Sequence, residues 1–192
     1  MVRMDSCSNG DGSPRQFALV KYIPDPLGRF LDSLRAELVA GCRLQSHITV
    51  LPPRMLKAPT ELLLRELQSR VPDLPVFDIE IGDVEVFTET SVVYLGVKHG
   101  EEQIKRMHRE LSSPPFDFAE PFEFHPHITL AQEFPPERLD QVRRIAVERW
   151  RNWSQPRQFT VETLTFVEKT DDAGWQNLGS FELSTANLLK TG

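Results

Sequence analysis

Ser46-His47-Ile48-Thr49-Val50 and Pro126-His127-Ile128-Thr129-Leu130 are near copies of one another, set eighty residues apart in a chain of 192. Each is a short apolar run carrying a His and a Thr two positions apart. The β-branched Ile and Thr side chains favour extended backbone, and in a strand a spacing of two puts both polar side chains on one face. Ile48 and Ile128 then point the other way. One His-x-Thr would carry little weight, because Thr favours strands for steric reasons alone. Two copies of the longer form His-Ile-Thr-apolar, each preceded by a loop and an incoming helix, predict two strands that bring two imidazoles to one cleft.

The elements around the motifs follow from periodicity and turn chemistry. Gln16 to Ile23 reads as a strand closed by Pro24-Asp25-Pro26, and Phe30, Leu31, Leu34 and Leu38 share one face of a helix from about Gly28 to Val39, stopped by Gly41. The first motif strand, about Ser46 to Leu51, is expected to stop at Pro52-Pro53, where the amide donors are lost. A helix from Pro59 to about Arg70 points Leu63, Leu64, Leu67 and Val71 inward, and Pro72 and Pro75 end it. Val76 to Glu89 alternates as one long strand with Gly82 a candidate bulge, and it forms a hairpin with Thr90 to Lys98. Gly100 opens a helix carrying Ile104, Met107, His108 and Leu111 on one face, and Ser112-Ser113-Pro114-Pro115 ends it. Phe116 to Phe124 reads as a loop into the second motif, and a fourth helix runs from Pro136 to about Trp150. Two last strands, Gln158 to Thr170 and Trp175 to Leu183, meet at a turn over Asp171-Asp172-Ala173-Gly174.

Each half therefore sets one motif strand between two helices. The fold class is α+β: a two-lobed, pseudo-symmetric arrangement of mixed, mostly antiparallel sheets with helices packed outside and the motif strands flanking a central cleft. Residues 1–15 are expected to be a flexible leader, 16–185 a single two-lobed catalytic domain and 186–192 a tail.

Histidine suits the chemistry because its ordinary pKa, about 6.5, lets one copy act as base and the other as acid near neutrality. Opening a phosphodiester needs both roles. A neutral imidazole takes a proton from the attacking oxygen while a protonated one gives a proton to the departing oxygen, each worth about 10²–10⁴-fold. A Thr hydroxyl roughly 7 Å along the strand can donate to a non-bridging phosphoryl oxygen. This arrangement requires no metal and no cofactor.

On these motifs the chain resembles the 2H phosphoesterase superfamily, the 2′-5′ RNA ligase-like and cyclic phosphodiesterase proteins, over about Gln16 to Leu183. The resemblance implies an enzyme, a metal-independent phosphoesterase that opens a 2′,3′-cyclic phosphate or a 2′-5′ phosphodiester of RNA ends or small nucleotides. It implies His47 and His127 as the catalytic acid/base pair and Thr49 and Thr129 as phosphate-binding residues. A rival reading keeps the cleft as a binding module that holds a nucleotide or RNA end without turning it over. Two acid/base groups, which a mere binder would not need, speak for catalysis.

Around that core, Tyr22, Arg54 and Phe124 are candidate substrate contacts: the two rings could stack on a base, and Arg54, like Arg43 or Lys21, could meet a phosphate. His125-Pro126-His127 suggests a metal pair, but no third ligand lies nearby in the sequence. Cys42 has no His at predictable range and reads as a small apolar residue. No G-x-S-x-G, Walker loop or G-x-G-x-x-G occurs.

Composition narrows the partners. A formal charge of −6 argues against broad nucleic-acid binding, which depends on Lys and Arg neutralising phosphates. Two cysteines, Cys7 and Cys42, make no disulfide framework, and no apolar run is long enough to span a bilayer. A monomeric cytoplasmic protein taking a small nucleotide or an RNA end is the expectation.

Overall fold

The structure is a computed structural model that describes residues 15–170 and 174–185. Residues 1–14 of the expected leader, three residues of the last turn and the expected tail lie outside the described residues. Two four-stranded sheets, every neighbouring pair antiparallel, are arranged with four helices.

The first sheet has the order β2-β1-β7-β8, from β1 (Gln16–Tyr22), β2 (His47–Met55), β7 (Thr163–Lys169) and β8 (Trp175–Glu182). The second has the order β5-β4-β3-β6, from β3 (Phe77–Phe87), β4 (Val92–His99), β5 (His127–Ala131) and β6 (Gln158–Val161). Each motif strand thus ends one sheet. The four helices are α1 (Leu27–Leu38), α2 (Thr60–Arg70), α3 (Glu101–Leu111) and α4 (Leu139–Asn152). The first and third cross between the halves, α1 lying against β5 and α3 against β2, and β2 and β5 also touch. That exchange packs a helix of each half on the motif strand of the other.

Local sequence explains the elements. Leu31, Leu34 and Leu38 of α1, Leu63 and Leu67 of α2, and Ile104, Met107 and Leu111 of α3 are buried at helical spacing. Burying one such side chain is worth about 1.5–3 kcal/mol, so these stripes fix which way each helix faces. Gly100, at the start of α3, has φ +90, and a Cβ there would lie 2.6 Å from the Asp78 carbonyl oxygen. Only glycine fits that turn without strain. Gly82 falls in the register shift between Ile81 and Val84, the bulge expected in β3, and its carbonyl accepts the Trp150 indole N–H at 2.9 Å.

Two expectations are corrected. β2 does not stop at Leu51 but runs through Pro52 and Pro53 to Met55, with Arg54 opposite Phe17 and Met55 opposite Gln16. It ends its sheet, and both prolines fall in the register shift between the Phe17–Arg54 and Leu19–Leu51 pairs, an irregular stretch of an edge strand where a missing amide donor is tolerated. The run from Gln158 to Thr170 is not one strand. It breaks at Glu162 into β6, which pairs with β3, and β7, which pairs with β1 in the other sheet. No Gly, Pro or Asn marks that crossing in the sequence.

Candidate active site

Both motif strands alternate in the same way: His47, Thr49, His127 and Thr129 are partly exposed, while Ile48, Val50, Ile128 and Leu130 are at most 2% exposed. The imidazoles are held identically. Nδ1 of His47 donates to the Gln45 carbonyl and Nδ1 of His127 to the His125 carbonyl, each at 2.7 Å. A carbonyl can only accept, so the proton sits on Nδ1 and the Nε2 lone pair of each neutral ring is free to act as a base.

Burial pushes both imidazoles below their ordinary pKa, against the opposing pull of the carbonyls they donate to. At His47 the Arg35 guanidinium and a charge on His127 add to the lowering and Asp32 opposes it; at His127 the neighbouring His125 adds to it. The two rings stand on strands that touch, β2 and β5.

Their surroundings differ. His127 stands in an aromatic corner, with Phe87 and Tyr94 stacked at 4.0 Å and meeting its ring edge-on at 5.2 and 5.3 Å. The exposed His125 ring touches the same two residues. The Tyr94 hydroxyl donates to Glu85 at 3.0 Å, and burial together with that carboxylate pushes its pKa up to about 12. Among the described aromatic rings His47 meets Tyr22, edge-on at 6.2 Å, and the residue before it is tied to α1 by the Ser46 N–H bond to Asp32 at 2.6 Å.

Of the candidate substrate contacts, Tyr22 lies beside His47 and donates its hydroxyl to Asn177 at 3.2 Å. Arg54 does not face a cleft. It is 1% exposed, and its guanidinium donates to the Phe116 carbonyl at 2.7 Å, to the Pro52 carbonyl at 3.0 Å and to Glu120. Because β2 continues past the prolines, its side chain is carried beneath the 112–126 loop, which it anchors. Phe124 is stacked on His108 at 3.8 Å and 7°, so one face of its ring is already occupied. Among the described residues, no group of three or more His, Cys, Asp or Glu side chains is placed to hold a metal. No helix among them is long and apolar enough to cross a membrane.

Sequence reasoning missed Arg35, Tyr94 and Phe87. Arg35 sits on the apolar stripe of α1, where an Arg carries no periodic signal, and it is 4% exposed. The two aromatics read only as strand formers in a hairpin.

Two sheets that each end in a His-x-Thr strand, with helices exchanged between the halves, define the two-lobed LigT-like fold class. The chain belongs to the 2′-5′ RNA ligase superfamily, whose family profile matches residues 23–173. Among curated relatives, the Geobacillus kaustophilus protein named "Putative phosphoesterase GK0864" is 28% identical over 129 residues, 62% of this chain and 70% of that one. "Putative phosphoesterase BH1439" of Halalkalibacterium halodurans is 25% identical over 150 residues, 73% of this chain and 85% of the relative. Among solved structures, E. coli LigT complexed with 3′-AMP superposes with a TM-score of 0.63 at 19% identity, covering 89% of this chain and 99% of LigT. The phosphate complex of LigT gives 0.59 at 20% identity, with 89% and 98% covered. These likenesses establish the fold.

Proposed function

We propose that this chain is a metal-independent phosphoesterase that opens a 2′,3′-cyclic phosphate or a 2′-5′ phosphodiester of a small nucleotide or an RNA end. The observation that carries the reading is the duplicated geometry: two imidazoles on touching strands, each fixed through Nδ1 with Nε2 free, each followed by a Thr on the same face. The names of the curated relatives, phosphoesterases, and the phosphate and 3′-AMP complexes of LigT agree with it.

In this reading one neutral Nε2 takes a proton from the attacking water as its oxygen bonds to phosphorus. The other imidazole, protonated, gives its proton to the ribose oxygen as the P–O bond breaks. Thr49 and Thr129 donate to the non-bridging oxygens, where charge grows in the transition state. Both imidazoles are held low in the free protein, so the acid must gain its proton when substrate arrives. A phosphoryl anion between the rings favours that charge. Within the same proposal the protein works as a monomer in a reducing compartment, without a membrane or a broad nucleic-acid surface.

The test is hydrolysis of 2′,3′-cyclic mononucleotides in EDTA by the wild type and by His47→Ala and His127→Ala. The expected result is chelator-resistant turnover that falls at least about 10²-fold in each variant. Turnover abolished by EDTA, full activity in both variants, or tight binding without turnover would contradict the reading.

A further inference from the structure

Arg35 is a buried cation without a counter-ion among the described residues. At 4% exposure its guanidinium donates through Nη1 to the Thr129 carbonyl of β5 and through Nη2 to Cys42 Sγ at 3.8 Å, while its Nε is buried without a hydrogen-bond partner there. No carboxylate among the described residues comes within ion-pair distance. Asp32, one turn earlier on α1, is engaged by the Ser46 amide. Guanidinium groups are always charged, and buried ones are ordinarily paired, because desolvation of an unpaired charge costs several kcal/mol.

A structural tie alone does not account for that charge. The other half also ties a helix to its motif strand, α3 to β2, one residue further along, and makes the tie with His108, whose ring bonds the Val50 carbonyl at 2.8 Å and whose second nitrogen faces Glu120 at 3.6 Å. There a side chain that can be neutral joins helix to strand, with an acid beside it. Behind the second motif stands a permanent cation, and its charge disfavours a proton on His47.

We propose that the phosphoryl group bound between the two motifs is the missing counter-ion of Arg35, which makes Arg35 a positioning residue that adds fixed positive charge behind the phosphate site. This rests on the phosphate reading above and extends it to a residue outside both motifs. The charge lies beside the site: Arg35 donates to the backbone carbonyl of Thr129, whose own hydroxyl faces the phosphate in that reading. It also disfavours a proton on His47. The other groups acting on His47 are Asp32, which opposes Arg35, and His127, which acts in the same sense.

The experiment measures binding of inorganic phosphate, in EDTA, to the wild type, Arg35→Gln and Arg35→Lys, with the His47 ring titrated by NMR. Gln keeps a donor but loses the charge; Lys keeps the charge. Arg35→Gln should weaken phosphate binding by roughly tenfold, the effect of about one unit charge through a medium of intermediate dielectric. It should also raise the His47 titration midpoint, while Arg35→Lys retains most of the affinity. A structural role alone would leave phosphate affinity and the His47 midpoint unchanged, or make Lys as harmful as Gln. Either outcome overturns the proposal. Should the variants not fold, the Arg35 Nε–H resonance of the wild type must shift on saturation with phosphate, and a fixed resonance overturns it. Wild-type protein that binds no phosphate removes the site itself, a failure distinct from normal binding that ignores residue 35.

Discussion

At the scale of single residues, the shifts at His47 and His127 set a direction for stability against pH. Their folded pKa values lie below the ordinary 6.5 because burial disfavours the charged ring. The unfolded chain therefore takes up these protons first as pH falls. The contribution of the neutral rings is fully present above pH 6.5 and is lost as pH drops below 6.5 toward the folded values. Urea midpoints of the wild type should fall between pH 7.5 and 5, and more steeply than those of the His47→Gln, His127→Gln double variant. Equal slopes would mean the rings titrate as they do in water. The same shifts keep the base neutral in mildly acid solution, so the acid limb of kcat/KM should lie below pH 6.5.

At the scale of elements, the loop over residues 112–126 is held from below rather than by its own sequence. Arg54 ties it at the Phe116 carbonyl and at Glu120, and His108 stacks on Phe124 at its far end. Arg54→Met would leave the Phe116 carbonyl unpaired and should cost about 2–3 kcal/mol by urea denaturation, below the range for a fully buried pair because Glu120 is 18% exposed and can rehydrate. Glu120→Gln keeps an acceptor and should cost less. Gly100→Ala should lose about 1–3 kcal/mol, since it forces a Cβ against the Asp78 carbonyl at positive φ. If Arg54→Met is neutral, the loop is anchored by something other than this guanidinium.

These elements also mark what could be read from the chain. The helices were legible because Leu31, Leu34 and Leu38, or Ile104, Met107 and Leu111, repeat at helical spacing, and packing honoured that repeat. The end of β2 was misread because proline was weighed as a ladder breaker, whereas tolerance depends on which edge of which sheet a strand occupies, a tertiary fact. The passage from β6 to β7 was invisible for a similar reason. Both segments are β-prone, and the sheet each joins is decided by distant partners, Phe77 to Glu80 for one and Phe17 to Val20 for the other. In the site, the repeated His-x-Thr announced itself, while Arg35 did not, because its partner is a backbone carbonyl 94 residues away.

For the whole molecule, the crossing of α1 onto β5 and α3 onto β2 joins the two halves and sets both motif strands against each other. The proposed chemistry requires both rings to serve one phosphate. The most direct measurement is an NMR titration of the His Cε1–H resonances with inorganic phosphate in EDTA, with exposed His99 as the internal control. His47 and His127 should move together with one shared Kd, and at least one should titrate at higher pH in the bound state, while His99 stays fixed. Movement of only one ring, or two unrelated dissociation constants, would contradict a single site between the motifs.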